Sequence, residues 1–241
     1  GADDANVDRD FLPPADALIM LIAHPGRNIV LTEKLDPAVL DEHDPFRRDP
    51  ELDLFHPDHK PPYTTVFLER YKAAQLARSE RITQWALGQL ALLKEETDGR
   101  VDDLPFVVHG TMADPRNLDL TLDPSDRAAT TQWGPPAVAN FIPASIGHYT
   151  SLRSWLSQWS MRLSNGHGPE RLNTVQAPVH VIYGTADPGC YPGHARMLYE
   201  GVRHERKWLT PIQGAKHYLF DQPEHKRTCC RLIADWCQAL P

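Results

Sequence analysis

The chain has 241 residues, with 25 Lys and Arg against 32 Asp and Glu, a net charge of −7 and a pI of about 5.9. No Lys/Arg stripe exists to neutralise phosphates, which argues against an electrostatic nucleic-acid binder. No apolar run approaches the length needed to span a bilayer.

The length accommodates one large α/β domain, or a core domain carrying a sizeable insertion. Apolar residues make up 41%, enough for a buried core, and 22 prolines signal long irregular connections. In chain order, residues 1–14 are acidic, end in Pro13-Pro14, and read as a loop. Ala17–His24 is a continuous apolar run closed by Pro25-Gly26, which predicts a strand buried on both faces of a parallel sheet. Residues 27–62 repeat Asp-Pro with little periodicity and predict a long excursion of turns. Such a loop in a compact domain is usually functional or a cap.

From Tyr63 to Glu96 the residues Phe67, Tyr71, Ala74, Ile82, Trp85, Leu90 and Leu93 recur at near-helical spacing after Pro61-Pro62. Phe106–His109 predicts a short strand, and residues 110–148 return to turns. The phrase "TSLRSWLSQWSMRLSNG" predicts an amphipathic helix with Leu152, Trp155, Leu156, Trp159 and Leu163 on one face, stopped by Asn165-Gly166. From Val175 the order becomes regular. A strand over Val179–Tyr183, a helix over Gly193–Tyr199, a strand over Lys207–Ile212 and a helix over Pro223–Leu240 form the α/β signature.

The chemistry-bearing residues lie at the ends of those two strands. "YGTAD" ends on Asp187, and "GAKHY" carries His217 followed by Tyr218. Ligands and catalytic groups of open α/β sheets gather at the carboxyl ends of strands. A histidine acting as general base is held in one tautomer by a carboxylate that accepts its second N–H. An isolated loop histidine is ordinarily solvated or capping, and this chain has 12 of them, so the joint pattern carries the reading.

That pattern, over about residues 174–240, resembles the C-terminal part of an α/β-hydrolase. The resemblance implies that Asp187 is the triad acid and His217 the triad histidine. It implies that Ala17–His24 is the strand following the nucleophile helix. The implied fold is a mostly parallel sheet flanked by helices, with a mostly helical cap. Its implied division is core over residues 1–26, cap over 27–172, and C-terminal core over 173–241. The implied activity is hydrolysis of a small-molecule ester or similar acyl bond, without a cofactor. Trp155, Trp159 and Tyr218 are candidate substrate contacts, Trp155 and Trp159 being equally explicable as core.

The chain departs from the family in its nucleophile. No Gly-x-Ser-x-Gly elbow occurs anywhere in it. The serine phrases at Ser145, Ser151 and Ser154 follow no buried strand, and Cys190 lies at the wrong strand end for a nucleophile. His109-Gly110 mimics an oxyanion-hole phrase, but out of order. The Ala17–His24 strand would then have a bare edge, which pairs or aggregates. The expectation is that the serine comes from an upstream half of the same hydrolase, in the same or a second chain. "GADDANVDRD" reads as a surface-loop break. The rival expectation is a non-catalytic, hydrolase-like ligand-binding protein.

The four cysteines, Cys190, Cys229, Cys230 and Cys237, lack Cys-x-x-Cys spacing and predict neither a disulfide framework nor a zinc site. His56-x-x-His59, interrupted by Pro57, reads as turn polarity. No metal is expected, and the cytoplasm is the expected compartment.

Overall fold

A computed structural model describes residues 13–240. The acidic stretch 1–10 lies outside the described residues. Strand β1 (Leu18–Leu21) is followed by helix α1 (Arg27–Lys34), then strands β2 (Val39–Asp41) and β3 (Asp44–Arg48). Helix α2 (Thr65–Glu96), strand β4 (Pro105–Val107), helix α3 (Pro136–Ala139), strand β5 (Tyr149–Ser151) and helix α4 (Leu152–Ser154) come next. Helix α5 (Gly168–Leu172), strand β6 (Val179–Gly184), helix α6 (Pro192–Gly201), strand β7 (Lys207–Ile212) and helix α7 (Pro223–Gln238) complete the order. The chain is mixed α/β with a small parallel sheet. No described helix is long and apolar enough to cross a membrane.

Contacts divide the chain into two compact units. One contains residues 14–25, 120–132 and 168–240. Its sheet has the order β1-β6-β7, all parallel, with Leu18 opposite Val179 and Val179 opposite Lys207. Side-chain alternation sorts the strands onto two faces. Val179 and Val181 join Leu172, Ala195, Leu198 and Val202 on the face covered by α5 and α6. Ile182 and Ile212 join Leu219, Cys229, Leu232 and Ile233 on the face covered by α7. Strand β6 is buried along nearly its whole length, whereas Leu21 of β1 is 40% exposed. Both faces of β1 are covered, Leu18 and Met20 packing against the first of these clusters and Ile19 and Ile22 against the second. Leu18, Ile19 and Met20 are only half-buried, which corrects the expectation of full burial for Ala17–His24. Strand β1 pairs with β6 on one side and, among the described residues, with nothing on the other.

The second unit contains Gly26–Asp119 and Trp133–His167. Its frame is α2, 32 residues or roughly 48 Å long at 1.5 Å per residue. Thr64 caps it by accepting the Phe67 N–H at 3.2 Å. Ile82 and Ala86 pack against Leu31, Val108, Leu152 and Trp155, and Tyr71 packs against Ala38, Leu54 and Ala113.

Two expectations fail here. Residues 27–62 are not all turns, because α1 and the β2–β3 hairpin lie among them. Helix α1 has no side-chain cap and only eight residues, but Ile29, Val30 and Leu31 are buried, so tertiary packing stabilises it rather than local signals. The helix expected over 152–163 is broken. Residues Trp155–Trp159 form a π turn closed by the Ser160 N–H on the Trp155 carbonyl at 2.8 Å, and Ser160 then turns extended. The widened turn leaves Trp155 Nε1 donating to Thr83 Oγ1 at 3.0 Å, with Ser160 Oγ 2.9 Å from the same oxygen.

Candidate active site

The parallel strands β6 and β7 end side by side, with Gly184 opposite Ile212. Beyond them the two loops are laced together. The Ala186 N–H donates to the Ala215 carbonyl at 3.0 Å, and the Gly214 N–H donates to Thr185 Oγ1 at 2.8 Å. Gly184 is needed at this approach, since a Cβ there would lie 2.4 Å from the Ala215 carbonyl oxygen. Gln222 holds the second loop from within, accepting the Lys216 N–H and donating to the Gly214 carbonyl, both at 2.8 Å. Asp126 accepts from both Thr185 Oγ1 and Gln213 Nε2, tying the loops to each other.

This lacing sets Asp187 and His217 at 2.9 Å, Oδ2 to Nδ1. Asp187 is fully buried, and its second oxygen, Oδ1, accepts the N–H groups of Gly189 at 2.6 Å and Cys190 at 3.1 Å. A buried carboxylate needs such partners. The pattern assigns the imidazole proton to Nδ1, which donates to Asp187, and leaves the Nε2 lone pair available to take a proton. The His217 side chain is 13% exposed.

His217 opens a 3-10 turn, His217–Leu219, in an unusual backbone. Tyr218, Leu219 and Asp221 all have positive φ, at 59°, 54° and 53°. Non-glycine residues in that region cost on the order of 1–2 kcal/mol each. The exposed Tyr218 ring meets the His217 imidazole edge-on, with centroids 4.0 Å apart.

The other candidates sit elsewhere. Trp155 is fully buried in the core of the α2 unit. Trp159 packs against the same core with the Arg27 guanidinium 5.5 Å over its ring. Ser145 is 2.6 Å from Thr111 Oγ1, Ser151 accepts the Ser154 N–H, and Ser154 Oγ accepts from Gln158 Nε2, so all three serve local hydrogen bonds. The Gly110 carbonyl of the His109-Gly110 pair accepts the Asp36 N–H. His59 Nδ1 bonds the Asp53 carbonyl at 2.7 Å, and His56 Nδ1 lies 3.6 Å from Asp58.

Cys190 is the residue that sequence reasoning set aside and the fold brings in. Its sulfur, a carboxylate oxygen of Asp187 and a ring nitrogen of His217 all lie within 4.8 Å of one another. The Asp-x-x-Cys spacing was the available signal. It gains meaning only once the Asp187 carboxylate is seen to bind the Cys190 N–H and fold the loop back.

No family model matches this chain, and no curated protein matches it. Among solved structures, a monoacylglycerol lipase from Paleococcus ferrophilus is similar at 22% identity and a TM-score of 0.33. The match covers 73% of this chain and 53% of the lipase, so the chain spans about half of that protein's length. A likeness this distant transfers no activity to the chain.

Proposed function

We propose that the β-sheet unit is the acid–base half of a serine hydrolase acting on an ester or similar acyl bond. The observation that carries the reading is the 2.9 Å contact between His217 Nδ1 and Asp187 Oδ2, at the carboxyl ends of adjacent parallel strands. In this role His217 Nε2 takes the proton of an attacking hydroxyl and later delivers it to the leaving group. Asp187 fixes the tautomer and stabilises the imidazolium, and its two backbone N–H partners keep its second oxygen occupied.

The nucleophile in this reading is a serine outside these 241 residues. Two observations support that assignment. The chain contains no Gly-x-Ser-x-Gly elbow. The outer edge of β1 is unpaired among the described residues, and its Leu21 is 40% exposed. A strand–turn–helix segment seated on that edge, from the same or a second polypeptide, would extend the parallel sheet.

The test is turnover of short-chain ester substrates by the protein as isolated from its source. Asp187→Asn is expected to lower kcat by about ten-thousandfold, and His217→Ala by at least as much, with folding preserved. Native turnover by either variant would refute the assignment.

A second reading, ligand binding without catalysis, is favoured by a cleft of about 420 Å³ within the α2 unit. Its lining mixes the apolar Ile82, Trp85, Phe106 and Val107 with the charged Asp41, Glu42 and Arg81. A cleft of this size takes a small organic molecule. Retention of ester-like ligands by a protein that shows no turnover would favour this reading over the first.

A further inference from the structure

We propose that Asp187, Cys190 and His217 form a binding site for a thiophilic divalent cation of the zinc class. The three donor atoms converge within 4.8 Å of one another, and they are one oxygen, one sulfur and one nitrogen. All three residues are withdrawn from solvent, Asp187 at 0% and Cys190 at 5% exposure, with the His217 side chain at 13%. A sulfur–nitrogen–oxygen set suits zinc, cobalt or cadmium, and is wrong for magnesium or calcium, which take oxygen.

The place of the thiol differs from that of a relay nucleophile. A nucleophile in a proton relay sits across the imidazole from the carboxylate, on the opposite ring nitrogen. Here the thiol lies close to the carboxylate as well as to the imidazole, as ligands gather round an ion. The loop is also braced for it. The Gly189 and Cys190 N–H groups hold Asp187 Oδ1, which fixes the carboxylate and the turn that presents the sulfur. An oxygen stands by for a fourth position. Gln132 Oε1 is buried without a hydrogen-bond partner, and it faces the same side of Gly189 as His217 Nδ1 and Asp187 Oδ1.

Cys190 ligates as thiolate, so each ion taken up releases the thiol proton to solvent, and binding tightens as pH rises. Metal uptake is independent of the hydrolytic reading, since it requires only these side chains. One consequence does rest on that reading: a ring nitrogen holding an ion cannot accept a proton, so the ion and the general base exclude each other.

The experiment is titration of the reduced protein, as isolated from its source, with Co²⁺ and no substrate present. The expected result is a thiolate-to-cobalt charge-transfer band, saturating at one ion per chain and discharged by Zn²⁺. Cys190→Ser is expected to abolish the band and weaken Zn²⁺ binding by about a hundredfold or more. A triple variant with Cys229, Cys230 and Cys237 changed to Ser is expected to keep it. His217→Gln, at a partly exposed loop position, is the second variant, and it is expected to weaken Co²⁺ uptake similarly. A wild-type chain without the band, a band that survives in Cys190→Ser, or an unchanged Co²⁺ affinity in His217→Gln overturns the site.

Discussion

Gly189 lies against His217 so closely that a methyl group on its Cα would stand 3.1 Å from the imidazole Nδ1. The same methyl would be 3.2 Å from Asp187 Oδ1 and 2.5 Å from Gln132 Oε1. The acid–histidine pair is thus closed on one side by bare backbone. Gly189→Ala is expected to displace the imidazole and lower ester turnover by about a hundredfold, with the fold retained. Turnover with circular dichroism checks this, and unchanged kcat would mean that the pair is not confined from that side.

Gly88 provides the contrasting case. It lies inside α2, and a Cβ there meets nothing within 4 Å. Gly88→Ala removes backbone freedom from the unfolded chain at no steric cost, so stability is expected to rise by about 0.5–1 kcal/mol. Denaturant unfolding measures the shift.

Tyr218, the residue after His217, holds φ at 59° and is 66% exposed. Glycine adopts that backbone without strain, so Tyr218→Gly is expected to raise stability by about 1 kcal/mol. Tyr218 is also a candidate substrate contact from the sequence, and in that role its loss raises KM at the same time. A variant that melts below the parent would contradict the assignment of strain at this position.

Acid sensitivity follows from two buried histidines. His180, bonded to Thr210 Oγ1 at 2.8 Å, is held below the usual histidine range by burial. His148 is lowered likewise by burial and by the neighbouring His109. A base whose folded pKa is depressed takes up protons more readily when unfolded. Its contribution is therefore complete above the ordinary value of about 6.5 and declines as pH falls through it. Melting temperature is expected to drop between pH 7.5 and 5.5, and less in His180→Gln than in the parent. Equal slopes for the two proteins would remove His180 as a cause.

The strand ends were legible because short strand-like runs followed by glycine-containing turns fix them locally. "VHVIYG" and "KWLTPI" form strands where the pattern puts them, and the Asp187–His217 contact follows from their adjacency. Helix α1 was not legible, because its stability comes from burying Ile29, Val30 and Leu31 in distant partners. The break after Trp159 was equally hidden. It accompanies a bond from the Trp155 indole N–H to Thr83, seventy-two residues earlier, which no local pattern reveals. The place of Cys190 beside the pair was hidden for a related reason. Its distance from His217 is set by how Asp187 folds its own loop, which no spacing rule encodes.

The most direct test of the central claim uses a fluorophosphonate probe on the protein as isolated from its source, followed by peptide mapping. The account predicts one labelled serine, on a peptide outside these 241 residues, and no labelling in His217→Ala. Labelling of Ser145, Ser151 or Ser154, or undiminished labelling in the His217→Ala protein, would contradict it.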